Sequence, residues 1–428
     1  MSLWNRGRDL LMEGLLIVPN HVIDPDEQRT EMHNAMKKTL LAAAVPILLS
    51  CAEPVRHDLV ISNIGLFDGF DDKGVVYIAI DGDRIADIDS RPLPADSVVD
   101  GTGKYVIPGL VNAHVHVSTE AQLAEGLAYG ILANLNMHTG VEEREREWKE
   151  LTRRESGYPF LFGAGHAATV PGGHPTQFSP EMETINDTMT VEEWVDRRIA
   201  NGADYIKIIR ESQPWMGQPA LPTLSYEQIG EIIRVTHERG LLAVAHTSTF
   251  EETARIAALG ADGFVHMAAL AADHPPSEAQ LAAVRESGAF IVPTAFMVPH
   301  GNASMEGAPP PMRQWVEENL LNEPDNVDFL RRIHEAGIPI VAGNDAPNTD
   351  LNFGDDLFGE LELYRQAGLS NGEVLRTATA NAALAFGLPV GLLEEGRKAN
   401  LVLLGGNPLD DLENLRTVEA VWKNGVPN

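Results

Sequence analysis

Residues 110–117 read LVNAHVHV, and this stretch places two histidines, His114 and His116, inside an apolar run. In a β-strand, side chains two positions apart point to the same face, so we expect the two imidazoles to point the same way. Two buried imidazoles cost free energy unless they find partners, and a divalent metal ion accepts both neutral nitrogens. The pair alone is a weak indication, since hydrogen-bonded core histidines and surface histidines show the same spacing.

The sequence that follows alternates between short apolar runs and helical segments. We expect strands near 110–117, 129–137, 159–165, 204–209, 241–245, 262–267, 289–293 and 338–343. Such alternation over roughly 280 residues is typical of a (β/α)8 TIM barrel, in which catalytic groups gather at the carboxyl ends of the strands. The sequence therefore predicts the α/β class, with His114 and His116 at the catalytic end of the first barrel strand.

Capping residues indicate where several of the helices begin and end. Three pairs have the spacing of a capping box: Thr190 with Glu193, Ser225 with Gln228, and Thr249 with Glu252. Four glycines stand where helices are expected to stop before the next strand: Gly240, Gly260, Gly288 and Gly337.

The two ends of the chain show a different pattern, in which apolar and polar residues alternate over short runs. In the amino-terminal region these runs are broken by Asp-Gly turns. This pattern covers 57–108 and returns near the carboxyl terminus in GRKANLVLLGGNPL and VEAVWKNGV. We expect a small β-sandwich assembled from both termini, from 51–109 and 390–428, around the (β/α)8 barrel at 110–389.

The composition excludes some classes of function. The chain has 428 residues, 44% of them hydrophobic, and a formal net charge of −30 at pH 7. A phosphate backbone would be repelled by that charge, so nucleic-acid binding is not expected. A small-molecule substrate fits better, and the sequence leaves the oligomeric state open, a homo-oligomer included.

Residues 36–54, MKKTLLAAAVPILLSCAEP, have the charged start and short apolar run of a signal peptide. The LLSC end resembles a bacterial lipobox, whose cysteine carries the lipid. We therefore expect 1–50 to be a leader with a lipoprotein-type signal peptide, and Cys51 to anchor the protein to the membrane of the bacterial cell envelope, facing the periplasm or the outside. A short buried helix with a core cysteine is the alternative.

Four further strand ends carry titratable residues. They are Lys207 in ADYIKIIRE, His246 in LLAVAHTS, His266 in DGFVHMA and Asp345 in IPIVAGNDAP. Each has an ordinary structural explanation on its own. Together with the histidine pair of the first strand they indicate a metal-binding cluster, because independent strand ends would not all supply metal-ligand types by chance.

These residues resemble the two-metal members of the amidohydrolase superfamily. The likeness extends to YVIPGLVNAHVH at the entry into the barrel and to AFGLPVGLLEEGRKANLVLLGGNPL at the return into the sandwich, with Asn400 where the family usually has aspartate. GADYIKI and PGGHPTQF are most similar to the prolidase-like and imidazolonepropionase-like group.

By that resemblance, the cluster holds two divalent metal ions. His114, His116 and Asp345 would bind one ion, His246 and His266 the other, and Lys207 would bridge both as a carbamate formed with carbon dioxide. A hydroxide bridging the metals would be the nucleophile, and Asp345 would take its proton and pass it to the leaving group. Zinc is the default metal, although manganese, iron and cobalt suit the same ligands.

The resemblance also indicates which residues contact the substrate. His174, in the GGH of the loop after the third strand, would reach it as a second catalytic residue. A deaminase is not expected, because Thr249 stands where the one-metal deaminases carry glutamate. Leu224 replaces a tyrosine that helps the group's dipeptidases to hold a substrate carboxylate, and Tyr226 follows two residues later.

Other residues near the mouth of the barrel are candidates for a pocket or for ordinary packing. They are His138 and His166 after the second and third strands, Trp215 and Met216 after the fourth, and Phe296 and Met297 in the 294–315 loop.

Three functions follow from these observations. The first is metal-dependent hydrolysis of an amide-type C–N bond in a dipeptide or an N-acyl amino acid. The second uses the same machinery on a lactone, carbamate, aryl urea or phosphotriester, which Leu224 and the apolar loops favour. The third is a lipoprotein that binds a ligand without turnover, against which the complete ligand set argues.

Overall fold

The computed structural model describes residues 56–186, 188–214, 219–266, 275–304, 314 and 323–428. The predicted leader, the predicted lipidation site Cys51, and the pocket candidates Trp215 and Met216 lie outside the described residues.

The described chain contains fifteen strands. They are β1 His57–Phe67, β2 Asp72–Asp81, β3 Arg84–Asp89, β4 Ala95–Asp100, β5 Tyr105–Pro108, β6 Leu110–Val115, β7 Ile131–Asn136, β8 Phe160–Gly163, β9 Ile206–Arg210, β10 Ala243–Thr247, β11 Gly263–Val265, β12 Phe290–Val292, β13 Leu401–Leu404, β14 Val418–Lys423 and β15 Val426–Pro427.

The α-helices of the described residues lie between β6 and β13. They are α1 Glu120–Glu125, α2 Glu142–Arg154, α3 Val191–Ala200, α4 Tyr226–Glu238, α5 Phe250–Ala258, α6 Glu278–Ser287, α7 Met297–Ser304, α8 Glu323–Glu335, α9 Asp355–Gln366, α10 Asn371–Thr377 and α11 Ala380–Phe386. Among the residues described, none of these helices is long and apolar enough to cross a lipid bilayer.

The two ends of the described chain contribute strands to one sheet. Its order is β15-β14-β13-β5-β1-β2-β3, with β4 also paired to β1. β13 from the carboxyl-terminal end runs antiparallel to β5, with Leu401 opposite Pro108. The sheet curls, since Arg84 of β3 forms a bridge with Lys398 just before β13. Residues of this sheet, Ile61 and Trp422 among them, form a buried hydrophobic cluster.

The central part of the chain forms parallel strands in chain order. β6, β7 and β8 form one sheet, and β9 to β12 form a second. A bridge between Ala168 and Ile208 joins the first sheet to the second, and bridges from Ile340 to Ile291 and from Ala346 to Val115 connect the far edge back to β6. The strands and the helices packed around them enclose the largest hydrophobic cluster of the described chain. This is a mixed α/β fold.

The eighth apolar run, 338–343, differs from the prediction, since it forms bridges and not a continuous strand. Its backbone is bonded on both sides all the same: the Val341 N–H donates to the Ile291 carbonyl at 2.9 Å and the Ala113 N–H donates to the Ala342 carbonyl at 2.8 Å. A Cβ on Gly343 would lie 2.7 Å from the His114 backbone nitrogen, so only glycine permits this close approach.

Two of the three expected capping boxes form as predicted. Thr190 caps α3 and Ser225 caps α4, each with the reciprocal bond from the third residue of the helix. The Thr249 side chain also caps α5. The prediction of a complete third box is wrong, because the Glu252 carboxylate does not accept the reciprocal bond from the Thr249 N–H. It accepts hydrogen bonds from the Arg210 guanidinium and the Ser248 N–H instead.

The terminal sheet is tied to the central part of the chain by a buried lysine. Lys423 of β14 donates from Nζ to the carbonyls of Thr152, Glu155 and Tyr158, where α2 ends. A cation beside the last carbonyls of a helix is favourable because those groups lack partners within the helix.

Asn400, the departure from the family motif, has a structural role at the same junction. Its amide donates to the Pro389 carbonyl at 3.0 Å and accepts from the Asn424 N–H at 2.8 Å. Its position beside the terminal sheet agrees with the expectation that this departure does not touch the catalytic cluster.

Candidate metal centre

Five of the six expected metal ligands lie at or just beyond the carboxyl ends of the parallel strands, and Lys207 is the second residue of its strand. His114 lies in β6, Lys207 in β9 and His246 in β10, while His116 and His266 directly follow β6 and β11. Asp345 follows the eighth run. Because β6 to β12 pair in parallel, the five positions at strand ends face one end of the fold, which is where such folds place their chemistry.

Three donor atoms converge at the centre of this group. Nε2 of His114 and Nε2 of His116 each lie 3.1 Å from Oδ1 of Asp345, and the two nitrogens are 3.3 Å apart. The Asp345 side chain is 4% exposed and that of His114 is fully buried. Two neutral imidazoles cannot both donate to each other and to one oxygen, whereas a cation among the three atoms would satisfy all of them. This donor set fits a divalent metal ion.

His266 joins the same cluster from the next side. Its ring centroid is 4.7 Å from that of His114, and its Nδ1 lies 3.9 Å from Oδ2 of Asp345. Ligand atoms of His114, His266 and Asp345 all lie within 4.8 Å of one another, close enough to share one ion. The Nδ1 atom is 2.9 Å from the Thr294 hydroxyl, which fixes the orientation of the ring.

His246 extends the cluster toward the loop that follows β9. Its ring is 4.7 Å from that of His266, at an interplanar angle of 74°. Its Nε2 lies 2.9 Å from a carboxylate oxygen of Glu211. The second pair of expected ligands, His246 and His266, is therefore in contact, and each histidine has a protein partner on one nitrogen.

Lys207 lies in the floor of the cluster. It is only 2% exposed, and in the register of β9 and β10 it pairs with Val244, two residues before His246. Burial lowers the pKa of Lys207 to about 7, although the negative charge of Asp345 opposes the shift. No carboxylate among the described residues forms a salt bridge with it.

Burial also sets the protonation states of the cluster. It lowers the pKa of His114 to about 3 and that of His266 well below its ordinary value, despite the opposing charge of Asp345. Burial by itself would raise the pKa of Asp345, but the neighbouring histidines outweigh it and hold that pKa well below the usual range. Neutral imidazoles and an ionised carboxylate are the forms that bind metal ions.

The backbone is strained where the cluster is assembled. His266 and Asp345 both have a φ of 65° and Thr294 has 49°, in the left-handed region that non-glycine residues seldom occupy. The Asp345 N–H donates to the His114 carbonyl at 2.8 Å and the His266 N–H to the Val292 carbonyl at 2.9 Å, so neighbouring strands hold these conformations. Such strain concentrates at functional sites.

A buried amide pair locks the two chain segments that carry the first three donors. Asn112 donates from Nδ2 to Oδ1 of Asn344 at 2.8 Å, and its own Oδ1 accepts from the Asn344 N–H at 3.2 Å. The sequence prediction missed this pair, although Asn112 shares the strand face of His114 and His116 and that alternation is visible in NAHVH.

The predicted substrate residue His174 lies beside this cluster. Its ring centroid is 5.6 Å from that of His246, and its Nδ1 is 2.7 Å from the Gln177 amide nitrogen. Burial lowers the pKa of His174 to about 3, and the nearby His246 adds to the effect. The structure thus brings His174 to the second pair of histidines.

His138 and His166 lie further out, with ring centroids 6.3 Å apart. His138 accepts from the Ala167 N–H at 3.2 Å through Nδ1, and its Nε2 is 3.0 Å from the Ser179 hydroxyl. His166 accepts from the Glu183 N–H at 3.0 Å through Nδ1. These bonds hold the 166–186 loop that carries His174, and substrate binding by the two residues stays a prediction.

The apolar candidates pack mainly within the protein. Leu224 is fully buried in the main core. Phe296 and Met297 pack against a smaller cluster that contains Val115 and Phe353. Of the two roles considered for Phe296 and Met297, lining a pocket and ordinary packing, these contacts agree with packing.

Glu211 is a member of the cluster that the sequence prediction missed. It directly follows β9, on the same strand face as Lys207 and Ile209, and this period of two was the available indication. Burial alone would raise the pKa of Glu211, but hydrogen bonds from His246 and Ser248 outweigh it and lower that pKa to about 2.

Comparison with known proteins gives consistent results across sequence and structure. The sequence model described as "Amidohydrolase family" matches residues 105–427. An imidazolonepropionase from Alkaliphilus oremlandii (strain OhILAs) is 25% identical over 411 residues, covering 83% of this chain and 91% of that protein.

Two solved structures show the same fold. The structure of a Xaa-Pro dipeptidase with bound methionine superposes with a TM-score of 0.72 at 21% identity and covers 86% of this chain and 99% of that one. A putative prolidase from Bifidobacterium longum has a TM-score of 0.73 at 23% identity and covers 88% of this chain and 95% of that one. At these identities the likeness concerns the fold.

Proposed function

This chain belongs to the amidohydrolase family, and we propose that it is a metal-dependent hydrolase of an amide-type C–N bond. The observation that carries the proposal is the convergence of His114 Nε2, His116 Nε2 and Asp345 Oδ1 within 3.3 Å of one another. The similarity to an imidazolonepropionase and to prolidase-like structures supports C–N bond hydrolysis.

The ligand positions fit two divalent ions, for which zinc is the proposed metal. His114, His116 and Asp345 would hold one ion, and His246 and His266 the other. Ions bound there would lower the pKa of a bound water and polarise the scissile carbonyl of the substrate.

Lys207 is proposed to bridge the two ions as a carbamate. The neutral amine would attack the carbon of carbon dioxide and release one proton to solvent, which leaves an N-carboxylate whose single negative charge is shared by two oxygens. The burial of Lys207 and the lack of a salt-bridge partner for it among the described residues support this modification. An unmodified ammonium would be repelled by two nearby dications.

Asp345 and His174 are the proposed catalytic side chains. Hydrolysis adds the hydroxyl of water to the carbonyl carbon and a proton to the leaving nitrogen. Asp345, buried and ionised, would take the proton of the attacking water and pass it to the leaving group. His174 would hold the substrate, because its ring lies 5.6 Å from that of His246 at the rim of the cluster.

Dipeptides and N-acyl amino acids are the first substrate class proposed. One observation favours the second class, which comprises lactones, carbamates, aryl ureas and phosphotriesters. The Glu211 carboxylate lies beside His246, close to His174, and would repel a substrate carboxylate bound there. The buried Leu224 offers no hydroxyl to bind one.

The experiment that tests the function is a hydrolysis panel with the metal-loaded protein. One set of substrates contains dipeptides and N-acyl amino acids, and the other contains lactones, carbamates, aryl ureas and phosphotriesters. Turnover of the first set supports C–N hydrolysis of peptide-like bonds. Turnover confined to the second set would mean that the substrates belong to the second class and that the protein is not a peptidase. The proposal is contradicted if no substrate of either set is hydrolysed.

The finer architecture is part of the proposal. We propose that the parallel strands close into a (β/α)8 barrel over 110–389, because bridges join both sheets and lead back to β6. The predicted domain at 51–109 and 390–428, whose described strands form the curled sheet, would be the β-sandwich. Export of the protein and lipidation of Cys51 at the cell envelope are proposed from the LLSC motif alone.

A further inference from the structure

We propose that Glu211 is a positioning residue that orients His246 so that its Nδ1 is the atom that binds the second metal ion. This inference rests on the proposed function, because it needs the metal centre to exist. It goes further by assigning a role to a carboxylate outside the expected ligand set.

The contact between the two side chains is short and buried. Glu211 follows β9, and His246 lies in β10 opposite Ile209. Oε2 of Glu211 is 2.9 Å from Nε2 of His246, and both side chains are 14% exposed. The two residues therefore meet across adjacent parallel strands, where the backbone register fixes their separation.

The carboxylate is itself held in place. Its Oε1 accepts from the Ser248 hydroxyl, and the oxygen of that hydroxyl accepts from the Ser212 N–H at 2.9 Å. The Glu211 N–H donates to the Thr223 hydroxyl at 3.1 Å. Bonds on both sides of the side chain leave it little freedom to turn away from His246.

This geometry determines the tautomer of His246. An ionised carboxylate only accepts hydrogen bonds, so Nε2 carries the proton and the Nδ1 lone pair stays available to a metal. His266 is oriented in the opposite way, because its Nδ1 lies 2.9 Å from the Thr294 hydroxyl and its Nε2 is left available. Binding of the second ion thus depends on Glu211 and Thr294, which orient the two histidines through the nitrogens that do not bind the metal.

The charge of Glu211 supports the same role. Among the described residues, no lysine or arginine forms a salt bridge with it, and its only ionic partner there is the imidazole of His246. Glu252 of α5, another buried carboxylate, forms a salt bridge with Arg210 at 2.8 Å. A buried carboxylate needs a compensating positive charge, and a metal ion behind His246 would supply it.

The test measures how many metal ions each full-length variant retains. The wild type, Glu211→Ala, Glu211→Gln and the matched control Glu252→Ala are loaded with zinc and dialysed against a graded series of chelator concentrations. Metal per protein is then measured by mass spectrometry. Parallel samples loaded with Co²⁺ give the visible absorption spectrum of the bound ions.

The expected result is a selective loss of one ion. Loss of an outer-sphere partner weakens metal binding by about 10–100-fold. Glu211→Ala should therefore release one of its two ions at a chelator concentration about 10–100-fold lower than the wild type requires, and its Co²⁺ absorption spectrum should change. Glu211→Gln keeps an oxygen near Nε2 and should restore most of the retention, while Glu252→Ala should retain both ions.

Three results would overturn the inference. One is wild-type retention of both ions by Glu211→Ala, and another is an equal loss in Glu252→Ala, which would mean a general structural effect. If the alanine variant does not fold, it is replaced by Glu211→Asp, whose shorter side chain withdraws the carboxylate from His246. The third result is wild-type retention of both metal ions by Glu211→Asp. A wild type that binds no metal would instead overturn the proposed function.

Discussion

At the scale of single residues, Asp345 concentrates most of the chemistry proposed for the site. Its Oδ1 faces the Nε2 atoms of His114 and His116 at 3.1 Å, and its backbone has a φ of 65°. The Asp345 N–H is bonded to the carbonyl of His114, so the donor and its ligand partner are fixed by the same pair of chain segments. A change of one atom in this side chain therefore tests the chemistry without moving the backbone.

Asp345→Asn should lose activity by several orders of magnitude, about 10³-fold or more, because the amide cannot take a proton from water. The variant should still bind metal, since an amide oxygen remains near both histidines. The measurement is kcat/KM together with metal content. The control is Asp350→Asn in the exposed turn that follows. Full activity of Asp345→Asn would remove this residue from the mechanism.

Lys207→Ala should bind less metal, because the bridging carbamate would be missing. Short carboxylic acids such as acetate or propionate should restore part of the metal content and activity, since their carboxylate can occupy the space that the side chain leaves. Metal analysis and kcat with and without added acid provide the measurement. Unchanged metal content in the variant would contradict the bridging role of Lys207.

Much of the site could be predicted from residue types at strand ends, because parallel strands bring their carboxyl ends together. His114, His116, Lys207, His246 and His266 illustrate this. Glu211 could not be weighed in the same way, because a glutamate after a strand is usually solvated. Its contact with His246 depends on the register of β9 and β10, which a sequence pattern does not specify.

At the scale of elements, the segment that follows β12 is held by a buried carboxylate. Glu360 of α9 accepts from the Ala295 N–H at 2.9 Å, the Phe296 N–H at 2.6 Å and the Tyr364 hydroxyl at 2.7 Å. This segment begins with Thr294, which orients His266. Helix α9 is thereby coupled to the position of a proposed metal ligand.

Glu360 should make stability depend on pH. Burial raises its pKa from 4.5 to about 7, although the bonds from Phe296 and Ala295 oppose the shift. Between these values the folded protein holds a proton that the unfolded chain has lost. The free energy of unfolding should therefore fall as the pH rises from about 4.5 to about 7, by on the order of 3 kcal/mol.

Glu360→Gln cannot titrate at this position, so its free energy of unfolding should fall less than that of the wild type across the interval, whereas the exposed control Glu278→Gln should follow the wild type. Glu145, whose pKa burial also raises to about 7, titrates in all three proteins. Urea unfolding of the three proteins across that pH interval gives the comparison. Parallel pH profiles for the wild type and Glu360→Gln would show that Glu360 does not titrate in this range.

Element by element, the prediction was accurate where local chemistry decides. Thr190 and Ser225 cap their helices, and Gly288 ends α6 in the left-handed conformation with a φ of 77°. It failed where a tertiary partner intervenes: Arg210 takes the Glu252 carboxylate that would complete the third capping box. The eighth run differs for a similar reason, since neighbouring segments bond its backbone at separate points.

At the scale of the whole molecule, the chain leaves the terminal sheet after β5 and returns to it at β13. The residues of the candidate metal centre lie in the intervening part of the sequence. β5 leads into β6 through Gly109 and pairs with β13 from the carboxyl-terminal end. Lys423 then ties β14 to the end of α2. The sequence predicts this return, because the two termini share one alternating pattern, but it does not predict the curl of the sheet, which depends on the bridge between Arg84 and Lys398.

The location of the protein depends on a segment outside the described residues. The LLSC motif predicts export and lipidation of Cys51. Cys51→Ala should therefore give an unprocessed or released protein, whereas the wild type partitions with membranes. Fractionation combined with mass spectrometry of the mature amino terminus measures both. A wild type that is not lipidated and stays in the cytoplasm would contradict the expectation.

We expect the cluster around Asp345 to bind metal and hydrolysis to depend on that metal. The most direct measurement follows turnover of the best substrate of the panel as zinc is removed by a chelator and then added back in known equivalents. We predict that activity disappears with the metal, returns with added zinc, and reaches a plateau at about two ions per chain, the number the donor set suits. Activity that survives complete metal removal would contradict the account.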